Sequence, residues 1–137
     1  MTSHHFQSIT AAEVARKLRL DPEQIFGIFI LGSRLWGTNH PSSDHDTMVV
    51  TSAVHGKTST HSGDGDLDAT LIEPVEYTER VRQHRWLELL TLWLPPHCVV
   101  LQRLPPPALE LDRARLMRSV AEVAAKDWAR ARKYVER

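Results

Sequence analysis

The sequence predicts an α/β fold, a small mixed sheet of about four strands with helices packed on it. Three observations carry that prediction. "IFGIFIL" (Ile25–Leu31) is a continuous run of β-branched and aromatic residues, the pattern of a strand buried on both faces. "DLDATLI" (66–72) alternates polar and apolar residues, the period of a strand, and puts Asp66, Asp68 and Thr70 on one face. Between and beyond such runs lie stretches with helical spacing, marked off by prolines and glycines.

Taken in order, Thr10 followed by Glu13 makes a capping box that opens a short helix through about Leu18. "DPEQ" then turns the chain into the first strand. Gly32 ends that strand, and Ser33 is placed to cap a short helix over "RLWG". "TMVV", beginning near Asp46, reads as a second strand. The polar, glycine-bearing stretch 52–65 reads as a flexible connection to the third strand at 66–72. Pro74 suits the first turn of a helix running to about Gln83. Trp86, Leu89, Leu90 and Trp93 recur at helical spacing and are expected in the core. Pro95 and Pro96 stop that helix, "CVVLQ" reads as a fourth strand, and Pro105–Pro107 break the chain again. A long helix is expected from about Ala108 to Val135, with an apolar stripe of Met117, Val120, Ala121, Ala124, Trp128, Ala131 and Val135.

At 137 residues the chain is expected to form one domain. Seventeen basic and seventeen acidic side chains cancel, so net charge selects no partner. Their distribution is more informative. From Thr38 to Glu79 eight acids face one base, Lys57; from Arg103 onward nine bases face five acids. An acidic middle and a basic tail point to a cation site and an anionic partner. The single cysteine, Cys98, excludes an internal disulfide and lies in an apolar run, which reads as a buried structural thiol. No apolar stretch is long enough to span a bilayer, and "MTSHHFQSIT" has no signal-peptide layout, so a cytoplasmic protein is expected.

The candidate site lies in "LGSRLWGTNHPSSDHDTMVV" (31–50). Extended backbone puts Asp44 and Asp46 on the same side, with His45 pointing the other way. Two such carboxylates repel each other unless a cation neutralises them. Magnesium, or manganese in its place, suits them: a hard ion that takes carboxylate oxygens and keeps positions for water or phosphate. Gly32, Ser33 and Gly37 supply the complementary half, free backbone N–H groups and a hydroxyl for an anion. Anion donors a dozen residues before an acid pair describe a site for a metal-bound nucleoside triphosphate. The histidines at 40, 45, 55 and 61 match no familiar zinc spacing, and no cysteine lies near them.

"GSRLWG" followed by "SDHD" resembles the Gly-Ser…Gly…Ser-Asp-x-Asp signature of the polymerase β-like nucleotidyltransferase superfamily. The resemblance covers about Phe26 to Tyr77 with motifs, and this chain would be a minimal or truncated version. It implies a third carboxylate on a following strand. Asp68 is preferred on its nine-residue distance from Tyr77, while Asp66 shares its strand face and stays open. It also implies transfer of a nucleoside monophosphate from a triphosphate, ATP being the expected donor, with release of pyrophosphate. Asp44, Asp46 and Asp68 would be the catalytic and metal-binding residues; Gly32, Ser33 and Gly37 would hold the phosphates. The acceptor hydroxyl, on RNA or on a partner protein as in antitoxin-like adenylyltransferases, is left open, as is a catalytically silent binding module.

Overall fold

The computed structural model describes residues 9–39, 45–54, 59–62 and 67–135. The chain runs α1 (Ala11–Leu18), β1 (Ile25–Leu31), α2 (Gly32–Trp36), β2 (His45–Thr51), β3 (Ser59–Ser62) and β4 (Leu67–Ile72). It continues through α3 (Pro74–Arg82), α4 (Trp86–Leu90), β5 (Val99–Gln102) and α5 (Arg113–Val135). The fold is α/β, and its mixed sheet has five strands in the order β3-β4-β2-β1-β5. The fifth comes from Ser59–Ser62, inside the stretch expected to be a flexible connection. β2 and β4 run parallel, and every other pairing is antiparallel.

Packing divides the chain into two compact units where the sequence reading expected one domain: Met1–Tyr77 with Leu94–Pro105, and Thr78–Trp93 with Pro106–Arg137. The sheet belongs to the first unit. Its register places Ile28 beside Val49 and Leu71 in one row, and Ile30 beside Thr47 and Ala69 in another. That face joins Val14, Ala15 and Leu18 of α1 and Cys98 in one buried apolar cluster. Thr10 caps α1 as the sequence requires, its Oγ1 accepting the Glu13 N–H at 3.1 Å. The opposite face carries Phe29, whose ring stacks on Tyr77 of α3 at 6.1 Å between centroids. Both residues are buried, as is Met48 beside Phe29, so the second face is apolar at this row's centre.

The second unit is thinner. Leu89 of α4 is buried as expected, but Trp93 is 58 % exposed and Trp86 and Leu90 are half-buried, so the proposed core stripe holds only in part. Arg80 and Glu88 form an ion pair at 3.2 Å. His84, at φ +60° and almost fully buried, joins two segments. Its Nε2 accepts the Asp112 N–H at 2.9 Å, so its Nδ1 carries the proton it donates to the Arg82 carbonyl at 2.9 Å. α5 begins at Arg113 rather than near Ala108. Asp112 explains the start: its carboxylate accepts the Arg115 N–H at 3.1 Å and its carbonyl accepts the Leu116 N–H at 3.0 Å. The α5 stripe is not covered: Met117, Val120, Trp128 and Val135 are all exposed. Among the described residues no helix is long and apolar enough to cross a membrane.

Candidate functional site

β2 is buried at every position but one, and the exception is Asp46. Alternation gives the reason: His45 and Thr47 point into the α1 face, so Asp46 must project from the other. On β4 the same alternation buries Leu67 and Ala69 and leaves Asp68 half-buried. Register then brings the two acids together, because Asp46 pairs with Asp68 across the parallel strands. That pairing sets their Cα atoms about 4.8 Å apart, the spacing of neighbouring strands. The Thr47 hydroxyl bonds the Asp68 carbonyl at 3.3 Å and helps hold this register.

The row continues on both sides. Ser62 of β3 stands opposite Asp68, and Leu31, the last residue of β1, stands opposite Asp46. The next residue is Gly32, at φ +67°. A Cβ there would lie 2.9 Å from the Asp46 Oδ2 and 3.0 Å from the Asp46 Cβ, so the backbone at Gly32 passes directly against the acid. Gly37 is a glycine for another reason. It holds φ +73° at the end of α2, and nothing lies within 4 Å of where its Cβ would be.

The turn between them is closed on itself. The Ser33 carbonyl accepts the Gly37 and Thr38 N–H groups, the latter at 3.0 Å, and the Thr38 hydroxyl at 3.4 Å. The Gly37 amide is therefore engaged within the turn. Ser33 does not cap α2 as the sequence suggested: Leu31 precedes the helix, with no side-chain cap bond, and the strand runs straight into it. Ser33 is half-buried next to Gly32, near the acid row.

The structure thus joins Asp46, Asp68 and Gly32 in one place, with Ser33 next in the chain. Asp44 and Asp66 lie outside the described residues. Among the described residues no group of three or more His, Cys, Asp or Glu is placed to hold a metal ion. The two acids that are described suit a hard cation by type, being oxygen donors from one sheet face. The sequence offers Arg34 as a contact to phosphate but reads it rather as a helix-surface arginine, yet Arg34 is only 6 % exposed. A guanidinium so enclosed requires polar surroundings to keep its charge. Its neighbours Ser33 and Leu35 gave no sign of this, because α2 is too short to show a face.

Comparisons of the chain with protein-family models, with curated proteins and with solved structures find no match.

Proposed function

We propose that this chain is a metal-dependent nucleotidyltransferase. It would move a nucleoside monophosphate from a nucleoside triphosphate, ATP being the expected donor, to an acceptor hydroxyl. The observation that carries the reading is the in-register pairing of Asp46 with Asp68, with the Gly32 backbone packed on Asp46. Two carboxylates held at strand spacing repel each other, and a cation bound between them would relieve that repulsion. Asp46, Asp68 and, two residues before Asp46, Asp44 would hold Mg²⁺ or Mn²⁺. Such an ion supplies charge neutralisation at the reacting phosphates.

The chain's own residues supply the rest. Asp68 would take the proton of the acceptor hydroxyl as its oxygen attacks the α-phosphorus. The bond between the α- and β-phosphates then breaks, and pyrophosphate leaves. The Ser33 hydroxyl and the backbone beside Gly32, where no Cβ intrudes, would hold the phosphates. Orientation and charge, rather than a covalent intermediate, would lower the barrier. For the acceptor, RNA is favoured by the basic side chains of α5. Arg115, Arg118, Lys126, Arg130, Arg132 and Lys133 are all exposed.

Incubation with α-labelled triphosphates and a mixed pool of RNA and protein should transfer label only with Mg²⁺ or Mn²⁺. Asp46→Asn should reduce transfer about a hundredfold or more and abolish the metal dependence of nucleotide binding. Asp68→Asn should spare nucleotide affinity more than turnover, since its role is nearer the acceptor. Calorimetry that finds the Asp46→Asn affinity unchanged, with and without metal, would overturn the reading. For RNA, binding should weaken steeply with salt, and replacing Arg130, Arg132 and Lys133 by glutamine should flatten that slope.

A further inference from the structure

The unit that holds the sheet turns one large aromatic side chain to solvent. Trp36 is 61 % exposed, and among the described residues of that unit only Val75 joins it as an exposed large hydrophobic. Its place is informative. Trp36 ends α2, four residues after Gly32. Residues four apart lie on one side of a helix, about 6 Å apart along its axis. A helical side chain also leans toward the start of its helix. Gly32 is the residue whose backbone passes against Asp46, so the indole stands one turn beyond that acid and tilts back toward it. Arg34, on the opposite side of α2, is buried, whereas Asp46 is exposed as Trp36 is. Carboxylate and ring therefore open on the same side. Next to the ring Gly37 brings no side chain, and nothing lies within 4 Å of where its Cβ would be.

We propose, on the nucleotidyltransferase reading, that Trp36 is the shelf on which the base of the donor nucleotide stacks, and that the donor is a purine nucleoside triphosphate. That reading puts the phosphates beside Gly32 and Ser33 and on a metal at Asp46. A nucleotide anchored there sets its base down on the open surface around the anchor. The indole is a flat apolar face on that surface, one turn from the anchor; Val75 has no ring to offer. Stacking uses the π face that every base has, so the shelf adds affinity without reading the base edge. A purine covers more of the indole than a pyrimidine does, which gives the preference for purines.

Calorimetry in Mg²⁺ with non-hydrolysable analogues of ATP and CTP, and with inorganic triphosphate, separates the base from the phosphates. Trp36→Ala should weaken the ATP analogue about tenfold or more, weaken the CTP analogue less, and leave inorganic triphosphate unchanged. Trp36→Phe should keep most of the affinity, and circular dichroism should show the parent fold in both variants. Asp46→Asn should weaken the ATP analogue and inorganic triphosphate alike. An ATP analogue indifferent to Trp36→Ala overturns the proposal. So does an equal loss for inorganic triphosphate, or a CTP analogue that loses as much as the ATP analogue. Affinities that respond to Trp36→Ala as expected but not to Asp46→Asn sink the metal-dependent transfer and leave the shelf standing in a nucleotide-binding site. A parent that binds none of the three ligands overturns both.

Discussion

Gly32 and Gly37 both hold backbone that a side chain resists, but they do so under different constraints. At Gly37 only the positive φ is at stake, because nothing crowds the position. Gly37→Ala should therefore cost about 1 kcal/mol. At Gly32 the same conformational cost is joined by collision with the Asp46 Cβ, which is tied to the β2 backbone and cannot swing away. Gly32→Ala should cost about 2–3 kcal/mol and displace the acid as well. Thermal melts of the two variants, with transfer assayed in parallel, check the contrast. Gly37→Ala should keep most activity once folded and Gly32→Ala should lose it. That both glycines matter was legible in the sequence, though as donors to an anion rather than as residues at positive φ. The close approach to Asp46 was not, since it depends on register between strands that only pairing fixes. Arg34 makes the same point in reverse: its neighbours in sequence announce a surface and its neighbours in space enclose it.

At the scale of elements, legibility followed the strength of the pattern. β1, β2 and β4 stand where apolar runs and alternation put them, and their adjacency brings Asp46 to Asp68 as expected. "STHS" carries no apolar alternation, and β3 forms because β4 offers it an edge, which no local pattern records. The start of α5 was placed too early because a triple proline announces a break without saying where the next helix begins. Asp112 decides that, and it makes the start sensitive to pH. The Arg115 N–H bonded to its carboxylate, with a smaller contribution from the Ala114 N–H and from nearby positive charge, holds its pKa below the ordinary value, against a partly opposing desolvation. A carboxyl whose pKa is lower folded than unfolded adds stability above the unfolded value, about 3.9, and loses it as pH falls through the folded one. Helicity of α5 should thus fall at the acid end of a titration. Asp112→Asn caps nearly as well at neutral pH and has no proton to gain. It should leave neutral helicity almost unchanged and remove that part of the acid transition, as circular dichroism across pH would show.

For the whole molecule, the uneven distribution of buried residues between the two units sets the order in which they come apart. The continuous apolar cluster lies in the first unit, while among the described residues of the second only Val81 and Leu89 are buried hydrophobics. So little apolar burial leaves the second unit the less stable. The chain carries reporters for each. Trp86, Trp93 and Trp128 belong to the second unit and Trp36 to the first, so fluorescence reads mainly the second. Cys98 reads the first: it is fully buried, and burial pushes its thiol pKa up, which keeps the reactive thiolate scarce until the sheet opens. In a urea series the fluorescence change should therefore precede alkylation of Cys98, giving two separated midpoints. Coincident midpoints would mean that the units unfold as one.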